Sequence, residues 1–78
     1  MASTDMLHGA NDTDRLGIVR EAVARINGIR HDDEVAHGHE DVLYVAVLQA
    51  IAGGAPDAAA LAAEALRTQE IDFARWCA

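Results

Sequence analysis

The chain has 78 residues and a formal net charge of −7, with no lysine, seventeen alanines and one cysteine. That length allows a single domain, and one cysteine excludes an internal disulfide. The acidic balance argues against nucleic acid as a partner, because phosphate backbones need clustered basic side chains.

The opening MASTDMLHGANDTD lacks the basic-then-apolar pattern of a secretory leader. The most apolar run, VLYVAVLQAIA, is about half the length needed to cross a bilayer, so no membrane association is expected. A lone thiol suits a reducing compartment, and a cytoplasmic location follows as the expectation. Residues 1–11 have no apolar periodicity and read as a flexible N-terminal tail, followed by a single helical domain over residues 12–78.

The first predicted helix begins near Asp12 or Thr13, either of which can cap it. Leu16, Val19, Ala22, Val23 and Ile26 recur at helical spacing and form one apolar stripe, flanked by Ile18 and Ile29. Asn27 and Gly28 tolerate the left-handed backbone of a helix stop.

The second helix is predicted to begin at His31 to Asp33, with Asp32 or Asp33 as its cap, and to stop at Gly53 and Gly54. Stepping about 100° per residue, Leu43, Tyr44, Val47, Leu48 and Ile51 make one wide apolar face. Val35, Val42, Val45 and Ala46, with Gln49 among them, make another. One buried face suffices for a helix in a three-helix monomer. The second face predicts an interface in a homodimer; the alternative is a central helix covered on both sides by its own neighbours.

Pro56 and Asp57 suit the start of a third helix. AAALAAEALRT, residues 58–68, has very high helix propensity, and Leu61, Ala62, Ala65 and Leu66 are expected to face inward. In the closing QEIDFARWCA, Asp72 can cap a final short helical turn. Fully burying an apolar side chain such as Phe stabilises by ~1.5–3 kcal/mol. Ile71, Phe73 and Trp76 are therefore expected to fold back and close the core, rather than serve as an aromatic docking peptide. The fold class is all-α: a small three-helix domain made of a long helical hairpin, a third helix and a closing C-terminal turn. Its predicted core is Leu16, Val19, Val23, Ile26, Leu43, Val47, Ile51, Leu61, Leu66, Phe73 and Trp76.

The stretch HDDEVAHGHED, residues 31–41, places three histidines and five carboxylates together. On a helix, Asp33, His37 and Asp41 share a face at four-residue spacing, and Glu34 with His37 forms an E-x-x-H pair. Di-iron carboxylate bundles aim such pairs at the bundle interior. A metal site built on Asp33, Glu34, His37 and Asp41 would need a second copy, because the chain has one such motif and Glu21 falls on the polar side of the first helix. His39 points away from His37 on a regular helix. The simpler expectation is a capped, solvated helix start whose acids suit the helix dipole and meet an arginine of the first helix.

No nucleophilic catalytic set emerges. Cys77 has no assignable histidine partner, and Gly53 and Gly54 are a helix stop without the preceding strand that a phosphate loop requires. Arg15, Arg20, Arg25 and Arg30 recur every five residues, which spreads them around the axis and makes a poor groove-reading face. The acids of residues 31–41 stand apart from these arginines. A basic protein partner, or mimicry of nucleic acid, would use that segregation.

The segments DDEVAHGHED, AIAGGAPD, EALRT and IDFARWCA span the C-terminal two-thirds of the chain. Through them it resembles small uncharacterised helical proteins of high-GC actinobacteria and their phages. The resemblance implies a setting and no chemistry, and it supplies no functional residue. The expected role is a non-enzymatic, acidic protein-protein interaction or regulatory protein, encoded by a phage or mobile element and without a cofactor. The alternative is a dimeric helical protein holding a divalent metal on its second helix.

Overall fold

The computed structural model describes residue 7 and residues 12–75, with side-chain placement from Asp14 onward in the first helix. The fold is all-α. Helix α1 spans Asp12–Gly28, α2 spans Asp33–Ala52 and α3 spans Ala58–Leu66; a 3-10 turn over Arg67–Glu70 follows. Each helix packs on the other two. No helix among the described residues is long and apolar enough to cross a membrane.

Local chemistry accounts for the boundaries. Arg25 in the last turn of α1 suits the helix dipole. The Asp32 carboxylate accepts from the Val35 amide at 3.2 Å and caps α2, whose first turn carries Asp33 and Glu34. At the other end of α2, Ala55 N–H donates to the Ala50 carbonyl and Gly54 N–H to that of Ile51. This is a Schellman stop, and Gly54 supplies the positive φ of 94° that it needs. Asp57 occupies the N-cap position of α3 but makes no side-chain cap bond. Its Oδ1 instead accepts from Arg15 Nη2 at 3.1 Å, tying the start of α3 to α1.

The core combines Val19, Ala22, Val23 and Ile26 of α1 with Ala36, Leu43, Ala46 and Val47 of α2, Leu61 and Ala65 of α3, and Phe73. Leu16 and Ile51 are partly buried against it. Residues 71–75 fold back over the start of α2, where Ala74 N–H donates to Asp33 Oδ1 at 3.2 Å.

Several sequence expectations need correction. Leu66 is not a core residue but is 58% exposed. The inward stripe of α3 runs through Leu61 and Ala65, and Leu66 lies five residues beyond Leu61, about 140° around the axis. Leu48 likewise leaves the predicted inward face and is 65% exposed. Ala46, predicted at an interface, is buried at 1%. It lies one turn beyond Leu43, where the chain's own helices cover it.

Leu7 breaks the expectation of an unpacked tail over residues 1–11, because it is buried in the core; the rest of that segment lies outside the described residues. Asp72 caps no final helix: after the 3-10 turn the chain runs on without regular structure through residues 72–75. Trp76 and Cys77 lie outside the described residues.

Candidate functional site

Two features stand out: a buried charged node that pins the C-terminal segment, and an exposed apolar edge along α2 and α3. The node begins with Glu40. Its side chain is only 3% exposed, because it sits on the inward line of α2, one turn after Ala36 and one before Leu43. A carboxylate there requires a cation and hydrogen bonds. Arg75 supplies them, with Nε at 3.0 Å from Oε1 and 3.1 Å from Oε2 of Glu40. Its Nη2 donates to the Thr68 and Ile71 carbonyls, and its Nη1 to the Phe73 carbonyl at 3.3 Å. The guanidinium also lies 3.9 Å over the centre of the Phe73 ring. One side chain therefore neutralises a buried acid and bonds carbonyls of the 3-10 turn and of the segment after it, including that of Thr68, which also accepts from the Ile71 amide.

A hydroxyl chain adjoins this pair. The Tyr44 and Thr68 hydroxyls lie 2.6 Å apart, Gln69 Nε2 donates to Tyr44 Oη at 2.8 Å, and Thr68 Oγ1 donates to the Ala65 carbonyl at 3.1 Å. Tyr44 also reaches Glu40 Oε2, at 3.4 Å. Thr68 is fully buried. The node fixes α2, the 3-10 turn and the C-terminal segment to one another, and its acid is sealed from solvent.

The predicted metal ligands do not converge. His37 Nε2 lies 3.5 Å from Asp41 Oδ1. Asp33 is engaged by the Ala74 amide, and Glu34 is exposed. Among the described residues, no group of three His, Cys, Asp or Glu side chains is arranged to hold a metal ion. The expected contact between these acids and arginines of the first helix is also corrected. Arg15 pairs with Asp57, and Arg20 lies 3.5 Å from Glu64; both acids belong to the α3 side. The acid of this stretch that does find an arginine is Glu40, and its partner comes from the C-terminus.

A groove between α1 and the end of α3 is lined by Arg20, Val23, Arg30, Glu64, Arg67 and Asp72 among others. Three of its charges meet within the protein, since Arg20 and Arg67 both face Glu64. Arg67 pairs with Glu64 at 2.9 Å, and Arg30 donates to the Asn27 carbonyl at 2.7 Å.

The predicted interface residues divide. Val35 and Val45 are each 42% exposed, Gln49 is exposed, Val42 is half-buried and Ala46 is buried. The largest exposed apolar groups are Leu48 and Leu66. The Gln69–Tyr44 hydrogen bond places both on one side of the α2–α3 seam. One turn onward along α2 from Tyr44 is Leu48, and one turn back along antiparallel α3 from Gln69 is Leu66. Val45 adjoins Leu48 on the outer side of α2. Along the same line, Glu34 and Asp41 precede Leu48 at seven-residue intervals, and both are exposed.

No protein-family model, no curated protein and no solved structure matches the chain.

Proposed function

We propose that the chain is a small non-enzymatic interaction or regulatory protein that works through the outer edge of α2 and α3. The observation that carries this reading is the exposure of Leu48 and Leu66, which helical spacing from the Tyr44–Gln69 hydrogen bond sets on the same side of the α2–α3 seam. Single exposed apolar residues are ordinary on a protein surface; adjoining ones rimmed by charge mark contact sites. Val45 extends the edge, the Schellman stop fixes the end of α2, and the Glu40–Arg75 node ties α2 to the 3-10 turn that follows α3. Preorganised helices reduce the ordering cost of binding. The resemblance to small actinobacterial and phage proteins supports a bacterial or viral setting.

The test is a photo-crosslinking amino acid placed at position 48 or 66 in host cells, with the exposed position 21 on α1 as the control. Adducts at 48 and 66 but not at 21, with the captured protein identified by mass spectrometry, are expected. Equal labelling at all three positions, or none at 48 and 66, would overturn the proposal.

A further inference from the structure

The charges around the apolar edge narrow the partner further. From Val42 to Ala52, α2 carries no charged residue, and all of α2 carries neither lysine nor arginine. Its outer line runs from Glu34 through Asp41 to Val45, Leu48 and Ala52, so it begins acidic and ends apolar. The Asp41 side chain is 67% exposed and its one close ion-pair contact is His37. Across the seam, Leu66 continues the apolar half. The nearest arginine in sequence, Arg67, bonds Glu64 and lines the groove on the opposite, α1 side of α3. Among the described residues, the edge is thus an apolar strip with acid at one end and neither lysine nor arginine on its α2 line, His37 being the one basic group beside Asp41.

We infer that this edge receives a cationic amphipathic helix, with aliphatic side chains over Val45, Leu48 and Leu66 and Lys or Arg beside Asp41 and Glu34. The inference rests on the interaction reading above and names the partner's chemistry. A helix laid along the α2–α3 seam can pack its own side chains between those of two antiparallel helices. Complementary charge at one end fixes its direction and speeds encounter.

A second copy of the chain fits less well. Antiparallel α2 helices would lay Asp41 and Glu34 on the partner's apolar half, desolvating carboxylates without a cation. Parallel helices would set acid against acid. An anionic membrane would be repelled by the same acids.

The probe is a Leu/Lys amphipathic peptide of about 18 residues, five helical turns, compared with its Leu/Glu twin. Binding to the full chain is measured by isothermal titration calorimetry at low and high salt, with sedimentation velocity on the free protein. The Leu/Lys peptide should bind about tenfold or more tightly than the twin at low salt, and added salt should narrow the difference. L48D decides the matter. It adds a negative charge, so attraction by charge alone would strengthen binding, whereas docking on the edge requires a loss of about tenfold. L66D should behave alike, and D41N should weaken binding at low salt only. Both leucines are exposed, so circular dichroism should report an unchanged fold.

Equal or tighter binding by L48D would overturn the inference, as would equal binding of the twin. So would a dimer of the free protein that L48D dissociates, since a second copy would then own the edge. Failure of the peptide while position 48 still captures a protein in cells would leave the interaction reading standing and refute the cationic helix alone.

Discussion

Arg75 and Glu40 should contribute to stability unequally. Removing Arg75 leaves a carboxylate that is 3% exposed facing no cation, and stranding one partner of a buried pair costs about 3–5 kcal/mol. Arg75 is itself 27% exposed, so water can enter the space it leaves, and R75A should fall near the lower end, about 3 kcal/mol. A core of this size typically supplies only ~3–5 kcal/mol in total. R75A should therefore keep only about 0–2 kcal/mol and be up to about half unfolded at room temperature. E40Q should be milder, about 1 kcal/mol, because Arg75 keeps the Thr68 and Ile71 carbonyls and its access to water.

The double variant E40Q/R75A separates charge from packing, because it removes the stranded acid. It should be more stable than R75A alone by about 1–2 kcal/mol. Urea unfolding followed by far-ultraviolet circular dichroism reads all three variants. An R75A cost within about 0.5 kcal/mol of zero, or no relief from adding E40Q, would refute the assignment of Glu40 as a buried anion held by Arg75.

Other substitutions test other contacts. L61A should cost about 2–5 kcal/mol as a cavity in the core, whereas L66A should stay within about 0.5 kcal/mol, because Leu66 is exposed; paired urea melts compare them. D32A should lose the α2 cap and about 1 kcal/mol, with lower helical ellipticity in the same scans. G54A should cost about 1–2 kcal/mol, because φ at position 54 is 94°, and a fall in melting temperature would report it. T68V keeps the volume and removes the hydroxyl beside Tyr44, so about 1 kcal/mol should be lost, again read by denaturant melts.

The three helices were readable because each has a local cause. The 16–19–23–26 stripe, the Asp32 cap and the Gly53–Gly54 stop act within a few residues of themselves. Sequence and structure differ where distant parts of the chain decide. Whether Leu66 or Ala65 faces the core depends on where α2 and α1 lie against α3, and an alanine-rich helix offers many plausible inward faces. Ala46 lies on the second apolar face of α2, which by sequence either a second copy or this chain could cover, and this chain covers it.

Glu40 stands among exposed acids in the sequence, yet its spacing from Ala36, Leu43 and Val47 puts it on the inward line. A buried acid on that line asks for a cation, and Arg75 lies 35 residues away in the closing segment. The pattern could have suggested an inward acid, but no local signal names its partner. Leu7 is a similar case: a leucine in a stretch without apolar periodicity gives no helical signal, and only packing reveals its place in the core.

Amide chemical-shift mapping tests the exposed edge most directly. The uniformly labelled chain is titrated with the Leu/Lys peptide, and the perturbed amides are assigned. Docking along the α2–α3 seam predicts shifts centred on Val45, Leu48 and Leu66 and reaching Asp41. Shifts confined to residues 31–41, or gathered around Arg20, Arg30 and Arg67 on the α1 side, would contradict a docking role for the edge.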